Sequence, residues 1–275
     1  MTTTLTPQPS TPLTHPTARR ATALGLEVVV MGAVFVAYRQ VRHLTSGDTD
    51  AAFANAERVV AIEQRLGAFT ERSVQRLALH SEQVVGFLNH YYVGVHFPAT
   101  IALLVWACWR HPAAYTRVRA AFLGVTLAAL AIHVAVPLAP PRMLDGRGFV
   151  DTLAVYGPRI YPTDTTQSVA NQFAAMPSLH FGWAVLVAAA VISILRSRWR
   201  WLALLHPAVT LLAIVATANH YWLDAAVAGV LVAVAGLAIR AWAQRDTARA
   251  GTAIAMPTRA TSCDDDGVRE DAVAA

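Results

Sequence analysis

The chain of 275 residues contains no lysine, so all 22 of its basic residues are arginine. No function is read from that bias. Charge of either sign is also scarce, at 14% of residues, where a soluble domain carries about 25%. This excludes an ordinary soluble globular chain. Two cysteines, Cys108 in an apolar run and Cys263 near the C-terminus, give neither a disulfide framework nor a metal-ligand spacing. The arginines stand in short clusters between apolar runs, a topology pattern rather than a nucleic-acid-binding face. What the chain has in abundance is apolar surface: 55% hydrophobic residues and a mean hydropathy of +0.42. That is the composition of an integral membrane protein.

The runs divide the chain into three parts. Residues 1–20 are Thr/Pro-rich and aperiodic, read as a disordered tail ending in Arg19-Arg20. Residues 21–245 form the membrane domain, and 246–275 return to polar, disordered composition with the acidic cluster Asp264-Asp265-Asp266. The apolar run at about 21–38 reads as a retained first span rather than a signal peptide, because no small-x-small cleavage site follows it. Between 40 and 82, Val59, Ile62, Leu66 and Phe69 recur at helical spacing among Glu57, Arg58, Glu63 and Arg65. Gly67 marks a stop and Thr70-Glu71 a new start. One or two amphipathic helices lying on the membrane surface fit this stretch. Five further spans are expected at about 84–109, 117–138, 180–196, 200–218 and 221–243, each near the ~20 residues a bilayer requires. The expected fold is therefore all-α, a bundle of six transmembrane helices plus the interfacial ones.

Short basic loops set the orientation. Arg110, Arg117 and Arg119 separate spans two and three; Arg196, Arg198 and Arg200 separate spans four and five; Arg240, Arg245 and Arg249 follow span six. Basic residues in short loops stay cytoplasmic, so six spans put both termini inside. The punctuated loop 139–179, the start of span four and the turn between spans five and six then share the outer face. Arg142, His180, His220 and Asp224 all fall on that face.

These residues are the candidates for chemistry. His220 and Asp224 are four apart, on one helix face, where the carboxylate can orient the imidazole and leave its other nitrogen basic. The plainer alternative is a histidine reaching headgroups at a span boundary, although an Asp that opens a span is costly unless paired. His180 follows Pro177-Ser178-Leu179. Ser178 suits an N-cap, the following amides suit an anion, and His180 suits a proton donor. Arg142, after Pro140-Pro141, can bind two phosphate oxygens at once, and Arg147 and Arg159 are weaker versions of the same idea. Asn89, Tyr92 and His96 share a helical face and either line a substrate pocket, together with Asn219, or bond between helices. His133 reads as a packed core histidine. No partner is identifiable for His15, His43, His80, His111 or His206.

Taken together these strings resemble the type 2 phosphatidic acid phosphatase (PAP2) superfamily, and particularly its branch related to inositol phosphorylceramide synthases. Pro177 to His180 is similar to the second family motif, with Leu179 where phosphatases usually carry Gly. His220 to Asp224, followed by Gly229, is similar to the third. Pro137 to Leu144 with Gly148 to Thr152 resembles the first-motif region of actinobacterial membrane members. The resemblance extends from about Glu57 to Gly236. It implies that His220 attacks phosphorus, oriented by Asp224, that His180 protonates the leaving group, and that Arg142 with the Ser178 loop holds the phosphate. It implies no metal or other cofactor and a lipid or polyprenyl phosphate as substrate among membrane lipids. Two cations of the family pattern are missing: the first-motif Lys, and a third-motif Arg at the position of Ile214. A non-catalytic lipid-binding or transport protein on the same scaffold, or a vanadate-dependent haloperoxidase, therefore stands beside the phosphatase and phosphotransferase readings.

Overall fold

The computed structural model describes residues 49–157 and 173–254, together with helical positions at Gly25, Val29, Gly32 and Val36. The tail over 1–20, most of the expected span at 21–38, Arg159 and residues 255–275 lie outside the described residues. Among the described residues the chain is all-helical, with no strand. Its helices are α1 (Thr49–Arg65), α2 (Glu71–Ala78), α3 (Glu82–Gly94), α4 (His96–Arg110), α5 (Pro112–Ala135), α6 (Thr152–Tyr156), α7 (Leu179–Ile194), α8 (Leu205–Ala216) and α9 (Trp222–Ile254).

Among the described residues three segments are long and apolar enough to cross a membrane: α5, the run Arg198–Ala216 in which a 3-10 turn leads into α8, and Trp222–Arg245 of α9. A fourth is the pair α3 and α4, which passes the same test together but bends by 43° at Val95. The sequence pattern reads as a single span at about 84–109; Gly94 and then Pro98, which lacks an amide proton, explain the bend within it. Helix α7 is apolar but only 16 residues long. It packs against α4, α5, α8 and α9 and presents Gly182, Ala184, Ala188 and Ala190 as buried small residues. Small side chains let helix backbones approach closely where hydrocarbon offers no hydrophobic drive. Helix α9 continues to Ile254 rather than ending near 243.

Helix α1 turns a face of Ala52, Ala56, Val59, Val60 and Glu63 inward, while Ile62 and Leu66 are exposed. This face differs from the expected stripe of Val59, Ile62, Leu66 and Phe69. Fully buried alanines allow the loop after α5 to close on the helix, with the Ala139 amide donating to the Ala52 carbonyl at 3.2 Å. Helix α1 stops at Gly67, whose positive φ of 66° lets the Ala68 amide reach back to Glu63 at 2.8 Å, a Schellman-type stop.

Side-chain amides pin the long loop after α5. Gln75 on α2 both donates to the Val150 carbonyl and accepts from the Val150 amide, each at 2.9 Å. Asn89 on α3 donates to Thr152 O at 2.8 Å and accepts from the Thr152 hydroxyl. Gln75→Leu leaves both Val150 groups without these partners, and such losses cost about 1–3 kcal/mol each. We expect a loss of roughly 2 kcal/mol or more, read as a drop of several degrees in melting temperature in detergent. An unchanged melting temperature would show that solvent replaces Gln75.

Candidate active site

Three loops converge above the bundle: 136–144, 173–178 and 217–221. Their joints are main-chain hydrogen bonds. The Leu138 amide donates to Phe173 O at 2.7 Å and the Ala175 amide to Leu138 O at 3.3 Å, forming a parallel β-bridge between Leu138 and Ala174. The Arg142 amide donates to Ala218 O, and the Ser178 amide to Asp224 O. Ala218 holds a φ of +53°, uncommon for a residue with a Cβ. That turn lets both Asn219 and His220 amides donate to the Ile214 carbonyl, at 3.0 and 3.1 Å, and it aims the His220 ring back at the second loop.

The His220 ring is buried and fixed through one nitrogen. Its Nδ1 lies 2.8 Å from the Ala175 carbonyl and 3.2 Å from Asp224 Oδ2. Both neighbours are acceptors, so Nδ1 carries the proton and Nε2 keeps its lone pair. Asp224 is fully buried in the first turn of α9, where a negative charge is favoured. Its Oδ2 also accepts from the Tyr221 amide at 3.0 Å, the reach-back of a capping box.

His180 faces this ring with 6.3 Å between centroids. Rings from two other helices hold it: Tyr92 of α3 stacks on it at 4.3 Å and His96 of α4 lies at 4.4 Å, with Trp183 of α7 itself behind His96 at 5.1 Å. Ser178 caps α7, its hydroxyl accepting from the Phe181 amide at 3.4 Å. Being fully buried, that hydroxyl serves the helix, and the Leu179 and His180 amides of its first turn have no intrahelical acceptor.

Arg142 is bound to the third loop, donating to Asn219 Oδ1 at 2.5 Å and lying 3.6 Å from Asp151. Asn219 in turn donates to the Thr217 hydroxyl, so it positions the guanidinium. Thus the structure gathers His180, His220, Asp224, Arg142, Ser178, Asn219, Tyr92 and His96. Asn89 is elsewhere in role: fully buried, it is taken up by Thr152. Arg147 pairs with Glu57, and Ile214 is fully buried in an apolar cluster, so neither supplies a replacement cation. His206, which had no identifiable partner, meets the Tyr91 hydroxyl at 2.6 Å.

Several residues at the site carry no sequence signal. His133, buried on α5, has Nε2 3.1 Å from the Pro177 carbonyl. The Tyr221 hydroxyl donates to Ala139 O at 3.1 Å. Glu63 Oε1 accepts from the Leu223 amide at 2.8 Å, and Glu71 Oε1 from the Trp222 amide at 3.2 Å.

Fold and site define a helical membrane protein with two facing histidines, one of them oriented by a carboxylate, beside a guanidinium and a helix N-terminus. The chain belongs to the PAP2 superfamily, which it matches over residues 57–239. This membership supports a phosphatase-type function. No curated protein and no solved structure matches the chain.

Asp224→Asn removes the charge beside Nδ1 while preserving shape. The expected result is a fall in kcat of about 100-fold or more with little change in KM, as when the orienting carboxylate of a catalytic triad is neutralised. Turnover within threefold of wild type would mean that the Ala175 carbonyl alone sets the ring.

Proposed function

We propose that the protein is an integral-membrane lipid-phosphate phosphatase or phosphotransferase that works through a phosphohistidine on His220. The carrying observation is the His220 ring itself: both acceptors lie on Nδ1, and the His180 ring lies opposite, with 6.3 Å between the ring centroids. A phosphoryl group between the rings meets a nucleophile on one side and a proton donor on the other.

The steps balance as follows. Nε2 of His220 attacks phosphorus, the bond from phosphorus to the lipid oxygen breaks, and His180 gives that oxygen its proton. His180 then takes a proton from the acceptor, whose oxygen attacks the phosphohistidine and restores the His220 lone pair. Water as acceptor gives a phosphatase; an alcohol such as inositol or a sugar gives a transferase, in keeping with the inositol phosphorylceramide synthase-like branch and the actinobacterial resemblance of the first-motif region. Arg142 and the first amides of α7 face the equatorial oxygens, where the transition-state charge spreads. Asn219 and Asp151 keep the guanidinium in place.

The substrate is an amphiphilic lipid or polyprenyl phosphate reaching the site from the outer leaflet. Six spans, with 21–38 as the first and α7 as the fourth, put both termini in the cytoplasm and the three loops outside, as the basic clusters require. Localisation to the plasma membrane follows from that reading. On this reading Tyr92 and His96, whose rings pack on His180, serve to hold the proton donor in place.

A second reading, a lipid-phosphate binder without turnover, is favoured by the shortage of cations, since Arg147 is paired with Glu57 and Ile214 is buried. One experiment separates the two. The purified protein is incubated with radiolabelled phosphatidic acid or a prenyl phosphate, with and without inositol, and label is followed into phosphate, phospho-lipid and protein. Acid-labile label on wild type but not on His220→Ala, with release abolished in both His220→Ala and His180→Ala, is the expected outcome. Full activity in either variant sinks the assignment, and tight binding with no label on His220 selects the binder.

A further inference from the structure

The helix that carries Asp224 begins against two acidic side chains that belong to neither the motifs nor the loops. Its first amides have no intrahelical acceptors. Asp224 takes the Tyr221 amide from within the helix. Glu71 of α2 takes the Trp222 amide, and Glu63 of α1 takes the Leu223 amide. Glu63 and Glu71 are 1% and 0% exposed, although acidic side chains are almost never fully buried unless paired. Their remaining oxygens find no donor among the described residues, and the two carboxyls contact each other. Among the described residues no basic side chain pairs with either.

Two bare carboxylates in a buried contact would repel strongly, so a proton between them is the physical resolution. We propose that Glu63 and Glu71 are positioning residues: sharing one proton, they grip the first turn of α9 from two other helices and hold Asp224 and His220 in register. The inference rests on the reading of His220 as the nucleophile. It uses no motif residue as its support, and neither glutamate touches the reacting atoms.

The environment agrees. Burial, then the contact with Glu71, holds the Glu63 proton up to about pH 9. The groups that face the pair are Asp224, His220 and Tyr221 at the head of α9, with Glu57 farther along α1, where it is tied to Arg147. Tyr221 is a neutral phenol and Arg147 offsets Glu57, so Asp224 is the charge that favours retaining the proton. The direction of the pH effect follows. An unfolded glutamate loses its proton near 4.5 and the folded Glu63 near 9, so the folded chain holds an extra proton between those values. Stability from this group is complete below about 4.5 and falls as pH rises toward 9.

The test uses the full chain in detergent micelles, with variants Glu63→Gln, Glu63→Ala and His220→Asn. Glutamine keeps a donor and cannot ionise; alanine abandons the grip. Two readouts need no substrate. The first is melting temperature between pH 5 and 9.5, which falls across the window in wild type and falls less than half as much in Glu63→Gln. The second is the ring N–H proton signal of His220, identified by its loss in His220→Asn, which disappears in Glu63→Ala below its melting temperature and is kept in Glu63→Gln. With phosphatidic acid in mixed micelles, kcat drops at least tenfold in Glu63→Ala with KM within threefold, and Glu63→Gln restores it. A Glu63→Gln melting profile with the wild-type slope, or an intact His220 signal in Glu63→Ala, overturns the proposal. Wild type without turnover but with both substrate-free effects present overturns the phosphohistidine reading alone.

Discussion

Everything at the site depends on the proton of His220 Nδ1. Placed between a main-chain carbonyl and a carboxylate, it fixes the tautomer, the ring plane and the direction of the free nitrogen together. The carbonyl belongs to Ala175, whose own amide is bonded to Leu138. Ring orientation is therefore inherited from the joint between two loops as well as from the Asp four residues on. In a buried setting such bonds are stronger than in water, and an unpaired member is costly, so each bond enforces the next.

The bundle supplies the floor for that arrangement. Helix α7 sits at its centre and delivers His180 from its first turn, while α4 and the end of α3 deliver the rings that hold it. Helices α1 and α2 lie beside the loops and meet the head of α9 through the Glu63 and Glu71 carboxyls as well as through apolar packing on Tyr221, Trp222 and Leu223. Alanines at 52 and 56 make that approach possible, since any larger side chain there would push the loop at 139 away.

Local pattern revealed what local chemistry controls. The i, i+4 spacing of His220 and Asp224, Ser178 as a cap and the stop at Gly67 are properties of neighbouring residues, and each is present, as are three or four of the expected apolar spans among the described residues. Long-range pairings were invisible for the converse reason. Glu63 and Glu71 look like the charged side of a surface helix, because their partners lie 160 and 151 residues away. Asn89 shares a helical face with Tyr92 and His96, yet the face splits: the asparagine meets Thr152 and the two rings meet His180. The longer α9 has another cause. Composition turns polar after 245, but Arg and Ala in that stretch are good helix formers, and polarity ends a membrane span without ending a helix.

The joint between the first two loops uses only the amide and carbonyl of Leu138, with the carbonyl of Phe173 and the amide of Ala175. Every residue type except proline owns both atoms. Mutational drift can therefore rewrite most side chains in these loops while the latch survives, so that the architecture is inherited through geometry more than through spelling. A lineage built this way can diverge until few letters remain recognisable, with the positions bearing a ring, a carboxylate or a guanidinium as its most durable signature.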